Sequence, residues 1–198
     1  TVRELGSAAR SVSLVSGGLL AGIAGALGIV GRAATNAAAD WEAYTNAFTA
    51  MLKSKAEAVR LMSDIQKFAL KTPFETKDVV EATKMLTAFG HTTDDILRKK
   101  NNLLTVIGEA AAAVNVPIQQ AALALEMLRS GIYDTVQMAN IGLKRGDLEK
   151  LGVKFTGSGQ LDSPGAFAYG AALKALQDRF AGGFKLAETS MKTLWSNM

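Results

Sequence analysis

The chain has 198 residues, a formal net charge of +4, and 48% hydrophobic against 20% charged residues. That is enough to bury one good core or two small ones, and too apolar for a disordered segment. There are no cysteines, which excludes disulfides and cysteine-ligated metals and leaves the redox compartment undetermined.

Only three prolines occur and alanine is abundant, so helix is favoured. The expected fold class is all-α: a long N-terminal helix or helices, then a compact multi-helix domain with at most one small β-hairpin near 153–161. Two regions are expected, 1–39 as an apolar Gly/Ala-rich helical segment and 40–198 as a helical domain. The chain begins at Thr1 rather than Met, so a segment of a longer or processed polypeptide is expected.

The first element is the uncharged run from Val12 to Gly31, flanked by Arg10 and Arg32. Twenty helical residues span about 30 Å, the thickness of a bilayer core. Gly18 and Gly22 form a GxxxG pair, and Gly22, Gly25, Gly28 and Gly31 recur every third residue. Such rows let helices approach closely. Three readings stay open: a membrane-inserting or transmembrane helix, a buried helix of a homo-oligomeric bundle, and a Gly-rich linker. Glycine costs about 1 kcal/mol per helix-interior position against alanine, so a helix here needs lipid or other copies around it.

From Trp41 the spacing alternates 3-4-3-4 through Tyr44, Phe48, Met51, Lys55, Ala58, Met62, Ile65 and Ala69. The narrow stripe suggests a coiled-coil seam between copies. Widening by Leu52, Val59 and Phe68 suggests packing within the chain. Both remain open.

The run Lys71–Gly90, KTPFETKDVVEATKMLTAFG, follows. Thr72-Pro73-Phe74-Glu75 reads as a capping box with proline at the first helical position. Thr76 offers a second cap, with Asp78 in the positive first turn. Val79, Ala82 or Thr83, Leu86 and Phe89 share one face, and Gly90 ends the helix in the left-handed conformation.

Beyond Gly90, a cap at His91-Thr92-Thr93 with Asp94 and Asp95 predicts a helix to about Val114, burying Ile96, Leu103, Ile107 and Ala110 or Ala111. Asn115-Val116-Pro117 breaks it. Pro117 starts another helix, with Ala121, Leu125 and Leu128 inward and Gly131 closing. A short helix is expected at Asp134–Asn140, and one more turn capped by Asp147, with Leu148 and Leu151 buried. Val153–Leu161 is the one hairpin candidate, turning at Gly157-Ser158-Gly159. Ser163-Pro164 opens the last helical region, divided at Gly182-Gly183.

These residues contain no recognisable active site, and no cofactor or metal site is expected. His91 is the only histidine and reads as a local hydrogen-bonding residue beside a cap. Asp94 and Asp95 point about 100° apart on a helix. The Gly157–Gly159 pair lacks the rest of a dinucleotide fingerprint, and no serine sits in a nucleophile elbow. Arg98-Lys99-Lys100 has no interleaved aromatic residue, so no specific nucleic acid is expected.

The wording of Lys71–Gly90, with Thr72, Pro73, Phe74, Glu75, Asp78, Leu86, Phe89 and Gly90, resembles the conserved block in the N-terminal domain of phage tail tape measure proteins. An Ala-rich stretch at Gly108–Val114, then Gly152–Phe155, and an Ala/Gly-rich helix ending in Arg179-Phe180 fit the same family. The resemblance covers roughly Asp40 to Met198; before Asp40 only the character of the sequence matches.

The resemblance implies a structural virion protein, not an enzyme. It would lie in the tail tube lumen or tail tip, be made in the host cytoplasm, and contribute to tail assembly and tail length determination. It would leave ahead of the DNA at genome ejection, with possible entry into the host inner membrane. Implied partners are other copies of the chain (a trimer, from the symmetry of tail tubes), tail tube and tail tip proteins, and tail assembly chaperones. An unbroken helix of this length would span only about 300 Å, so a compact section of the ruler is expected. A different class, a non-phage pore-forming or membrane-fusion helical module, would also use an apolar run beside amphipathic helices.

Overall fold

The computed structural model describes residues 30–184. The chain divides into two compact units, Thr1–Ala47 and Phe48–Met198. The first contributes most of the described part of helix α1 (Val30–Leu52). There the Thr45 hydroxyl donates to the Trp41 carbonyl at 2.8 Å.

The second unit is helical. After the end of α1 come α2 (Lys55–Ala69), α3 (Thr76–Ala88), a π-helical turn (Asp94–Arg98), α4 (Leu103–Val114), α5 (Ile118–Arg129), α6 (Thr135–Asn140), α7 (Arg145–Lys150) and α8 (Gly165–Phe180). The all-α expectation holds. Among the described residues the hairpin candidate is reduced to an isolated bridge between Phe155 and Leu161, with Gly159 in the left-handed region at the turn.

Helix α5 lies at the centre. It packs against α3, α4, α6 and α8, while α2 packs on α3 and α7 on α8. Its buried residues, Ile118, Ala121, Ala122, Ala124, Leu125, Glu126 and Leu128, run round most of the helix. The core is completed by Met62 and Ile65 of α2, Leu86 of α3, and Leu104 and Ile107 of α4.

The stripe beginning at Trp41 is not one helix. Lys53 takes φ +53°, and the Ser54 hydroxyl accepts from the Glu57 amide at 3.2 Å. Ser54-x-x-Glu57 is a helix-start signature lying inside the supposed seam. The break resets the helical phase. Phe48, Met62 and Ile65 are fully buried, Trp41 and Tyr44 half-buried, and Met51 is exposed. Leu61 is buried in α2, whereas Val59, expected to widen the stripe, is exposed.

The run Lys71–Gly90 differs from expectation at its start and agrees at its stop. Thr72–Phe74 form a bend, and α3 begins at Thr76 with Glu75 in the cap position and no side-chain cap. The Thr72 hydroxyl instead donates back to the Ala69 carbonyl at 3.5 Å. At the other end Gly90 has φ +88°, its amide donates to Thr87 and the His91 amide donates to Leu86. These two bonds define a Schellman stop, which satisfies carbonyls that the helix leaves orphaned. The same pair of bonds recurs at Asn115, Gly131, Gly142 and Gly152. Val79, Ala82, Thr83 and Leu86 are buried as expected, but Phe89 occupies the cap and is 39% exposed.

Three further helix starts differ from the sequence reading. The helix expected from Thr92–Thr93 to Val114 is split: the π-turn closes with the Lys99 amide on the Asp94 carbonyl at 2.9 Å, and α4 starts afresh with the Asn102 side chain accepting from Thr105. Asp147 sits inside α7 rather than at its cap, its carboxylate accepting from the Lys144 amide. Ser163 does not cap α8; its hydroxyl accepts from the Lys154 amide at 2.8 Å, in the neighbouring loop.

Gly165 opens α8 against the end of α5. A Cβ there would lie 2.2 Å from the Arg129 carbonyl oxygen, whereas one on Gly146 of α7 would meet open space. Gly165→Ala is therefore expected to lose about 1–3 kcal/mol of stability in urea denaturation. Gly146→Ala is expected to be neutral or gain up to about 1 kcal/mol from helix propensity.

Candidate functional site

Of the residues singled out in the sequence, Gly18, Gly22, Gly25 and Gly28 lie outside the described residues, as does most of the run they stripe. Gly31 stands in the helical backbone of α1. No described helix is long and apolar enough to cross a membrane.

The family-motif residues do not converge on one site; they are distributed as fasteners. The bend at 72–74 throws the half-buried Phe74 onto α4. A Cβ on Gly108 would lie 3.1 Å from the Phe74 ring, and Phe184 meets both Phe74 and Phe68 edge-to-face at 6.2 and 5.9 Å. Asp78 accepts from Gln119 of α5 at 2.9 Å. Leu86 enters the core, and the Phe89 carbonyl accepts from Arg129 at 2.9 Å.

That last bond leads to a buried polar cluster, which sequence reasoning missed. Glu126 of α5 is 0% exposed. Its carboxylate receives His91 Nε2 at 2.6 Å and Arg129 Nη1 at 3.1 Å. Tyr169 of α8 stacks on the His91 ring at 5.7 Å with 22° between planes, and its hydroxyl lies 3.4 Å from His91 Nε2.

Burial pushes the Glu126 carboxyl up, but hydrogen bonds from His91 and Arg129 outweigh it and hold it below the usual carboxylate range. Burial and the neighbouring Glu126 charge push the Tyr169 phenol up, so it stays protonated. The signal available in the sequence was slight: one carboxylate in the apolar text of α5, with Arg129 three residues on.

A second cluster pins α2. Arg98 of the π-turn donates through Nη1 to Glu57 at 2.6 Å and through Nε to Asp64 at 2.9 Å, and the Thr93 hydroxyl joins Glu57 at 2.8 Å. Glu57 and Asp64 are seven residues apart, two turns along one face. Burial opposes the Arg98 charge, but the Asp64 and Glu57 carboxylates more than compensate and raise its pKa. Hydrogen bonds from Thr93 and Arg98 lower that of Glu57.

The His91–Glu126 pair has the spacing of an acid–base dyad, but neither of two clefts among the described residues is lined by it. One, of about 610 Å³, lies between α4 and α8 and is lined by Leu103, Val106, Leu173 and Lys174. The other, of about 930 Å³, is lined by Met51, Met85, Pro117 and Gln119. Among the described residues no group of three or more His, Asp or Glu side chains is placed to hold a metal ion. Comparison with known protein families, with curated proteins and with solved structures finds no match to this chain.

Glu126 has a depressed folded-state pKa, so its stabilisation is present above the unfolded value of about 4.3 and is lost as pH falls through the folded one. Glu126→Gln is expected to lower stability by about 1.5–3 kcal/mol at pH 7, the value of hydrogen bonds to a charged group. The gap from the natural chain should narrow below about pH 4, where the natural carboxyl also takes up a proton. Urea denaturation of both proteins at pH 7 and pH 3.5 checks the difference.

Proposed function

We propose that this chain is a structural section of a phage tail tape measure protein, acting through packing and assembly rather than through a reaction. The reading rests on the wording of Lys71–Gly90. What supports it further is where those residues fall. Phe74, Asp78, Leu86, the Phe89 carbonyl and Gly90 each tie α3 to another segment or end it. A run kept for a compact helical section would be expected to hold such joints. In this reading the chain lies in the tail tube lumen or at the tail tip. It assembles with other copies as a trimer, in keeping with tube symmetry, and contacts tail tube and tail tip proteins and assembly chaperones.

A second reading is favoured by one feature, the uncharged glycine-striped stretch 12–31. In it the chain is a helical module that enters membranes, either at genome ejection or independently of any tail.

Two measurements separate these readings. Mass spectrometry of purified tailed particles from the source strain should find this chain's peptides in the tail fraction and find them depleted from ejected particles. Their absence from intact tails would refute the tape measure reading. Dye release from liposomes, comparing the full chain with one lacking residues 12–31, tests the membrane role; equal leakage from both would eliminate it.

A further inference from the structure

Helix α8 is fastened differently from the rest of the core. Its buried residues are Ala168, Tyr169, Ala172 and Leu176, a thin apolar face. Two alanines contribute little of the burial energy that holds larger side chains in place. Besides this face and the Phe180 ring set against Gly142, three of its fasteners end on carboxylates. At the N-terminal end Tyr169 stacks on His91, which is held by Glu126. Near the C-terminal end Arg179 pairs with Asp147 at 2.9 Å and also donates to the Gly142 carbonyl. Just beyond, the Gly182 amide donates to Glu109 of α4 at 2.8 Å.

We propose that α8 is an acid-releasable strap over α4 and α5, which detaches before the remaining helices unfold. The geometry at Glu126 supplies the force. Arg129 Nη1 and His91 Nε2 stand 3.5 Å apart with the buried carboxylate bound to both. Once that carboxylate is protonated, Arg129 and His91 lose the anion that binds both, and the ring on which Tyr169 stacks loses its charge-assisted hold.

The other groups around the strap act in the same direction or are neutral to it. Asp95 bears on Tyr169 from the π-turn, and Lys150 of α7 bears on Asp147. Lys174 and Asp178 pair with each other on the outer face of α8 at 2.8 Å. The Lys144 amide, Arg179 and Lys150 hold the Asp147 carboxyl below its usual range, as His91 and Arg129 hold Glu126. The Glu126 and Asp147 fasteners are therefore intact through the ordinary carboxylate range and fail only as pH falls below it, through the lowered folded-state values. Release uncovers the apolar wall formed by Leu103 and Val106 of α4, which now faces Leu173 across the cleft.

The chain has no native cysteine, so spin labels can be placed at will. Labels on Leu123→Cys in α5 and Lys174→Cys in α8 of the full chain report the strap by pulsed electron resonance distances, with far-ultraviolet circular dichroism recorded on the same samples. A longer distance should appear as pH falls below the ordinary carboxylate range while helicity is retained. Glu126→Gln with Asp147→Asn should show the long distance at pH 7. A distance that changes only together with loss of helicity, or a folded Glu126→Gln/Asp147→Asn chain that keeps the short distance at pH 7, overturns the proposal. If that double variant is unfolded at pH 7, the acid titration of the otherwise natural labelled chain decides: early separation supports the strap, simultaneous loss refutes it.

Discussion

A carboxylate removed from water has to be given donors by the protein, and the position of Glu126 makes three segments answer to that demand. His91 comes from the chain leaving α3, Arg129 from α5 itself, and Tyr169 from α8 leans on the histidine. Arg129 also holds the Phe89 carbonyl, and its own carbonyl forms the seat on which Gly165 starts α8. The end of α3, the end of α5 and the beginning of α8 therefore meet at one point. A buried ion pair contributes little net stability against a well-packed apolar substitute, but removing one partner is costly. The cluster is better understood as fixing where these three ends stand than as supplying the energy of the fold.

Around this point the chain is built from short helices with sharply defined stops. The stops were legible in the sequence because few residues accept positive φ, and Gly90, Asn115 and Gly131 each announced one. The starts were much less legible. A hydroxyl or carboxylate before a helix has other partners within reach, and the fold chooses among them. Thr72 turned back to Ala69, Ser163 bonded to the Lys154 amide across the adjoining loop, and Ser54 capped a helix inside what looked like continuous text. The apolar positions of α3, α4 and α5 could be read from their spacing, since each helix has one deep face. Glu126 could not, because beside the local Arg129 it is held inside by His91, 35 residues away in the chain.

The relation between motif and role is of the same kind. The run Lys71–Gly90 carries its family resemblance as a whole, while the structure distributes its residues among separate tasks. Phe74 meets Phe184 over Gly108, Asp78 binds Gln119, and Gly90 ends α3. Such residues are constrained by the joints they make and need not touch any ligand.

The π-helical turn has a bearing on how the chain length can vary. One loop of wider pitch carries Arg98 to the point where Glu57 and Asp64 both reach it. Relative to an α-turn, a π-turn holds one additional residue. Losing a residue between Asp94 and Arg98 would rotate the guanidinium by about 100° and carry it away from α2. Insertions and deletions are thus tolerable in the exposed pair Lys100–Asn101, beyond the Lys99 amide that closes the turn on Asp94, and not in the five residues Asp94–Arg98.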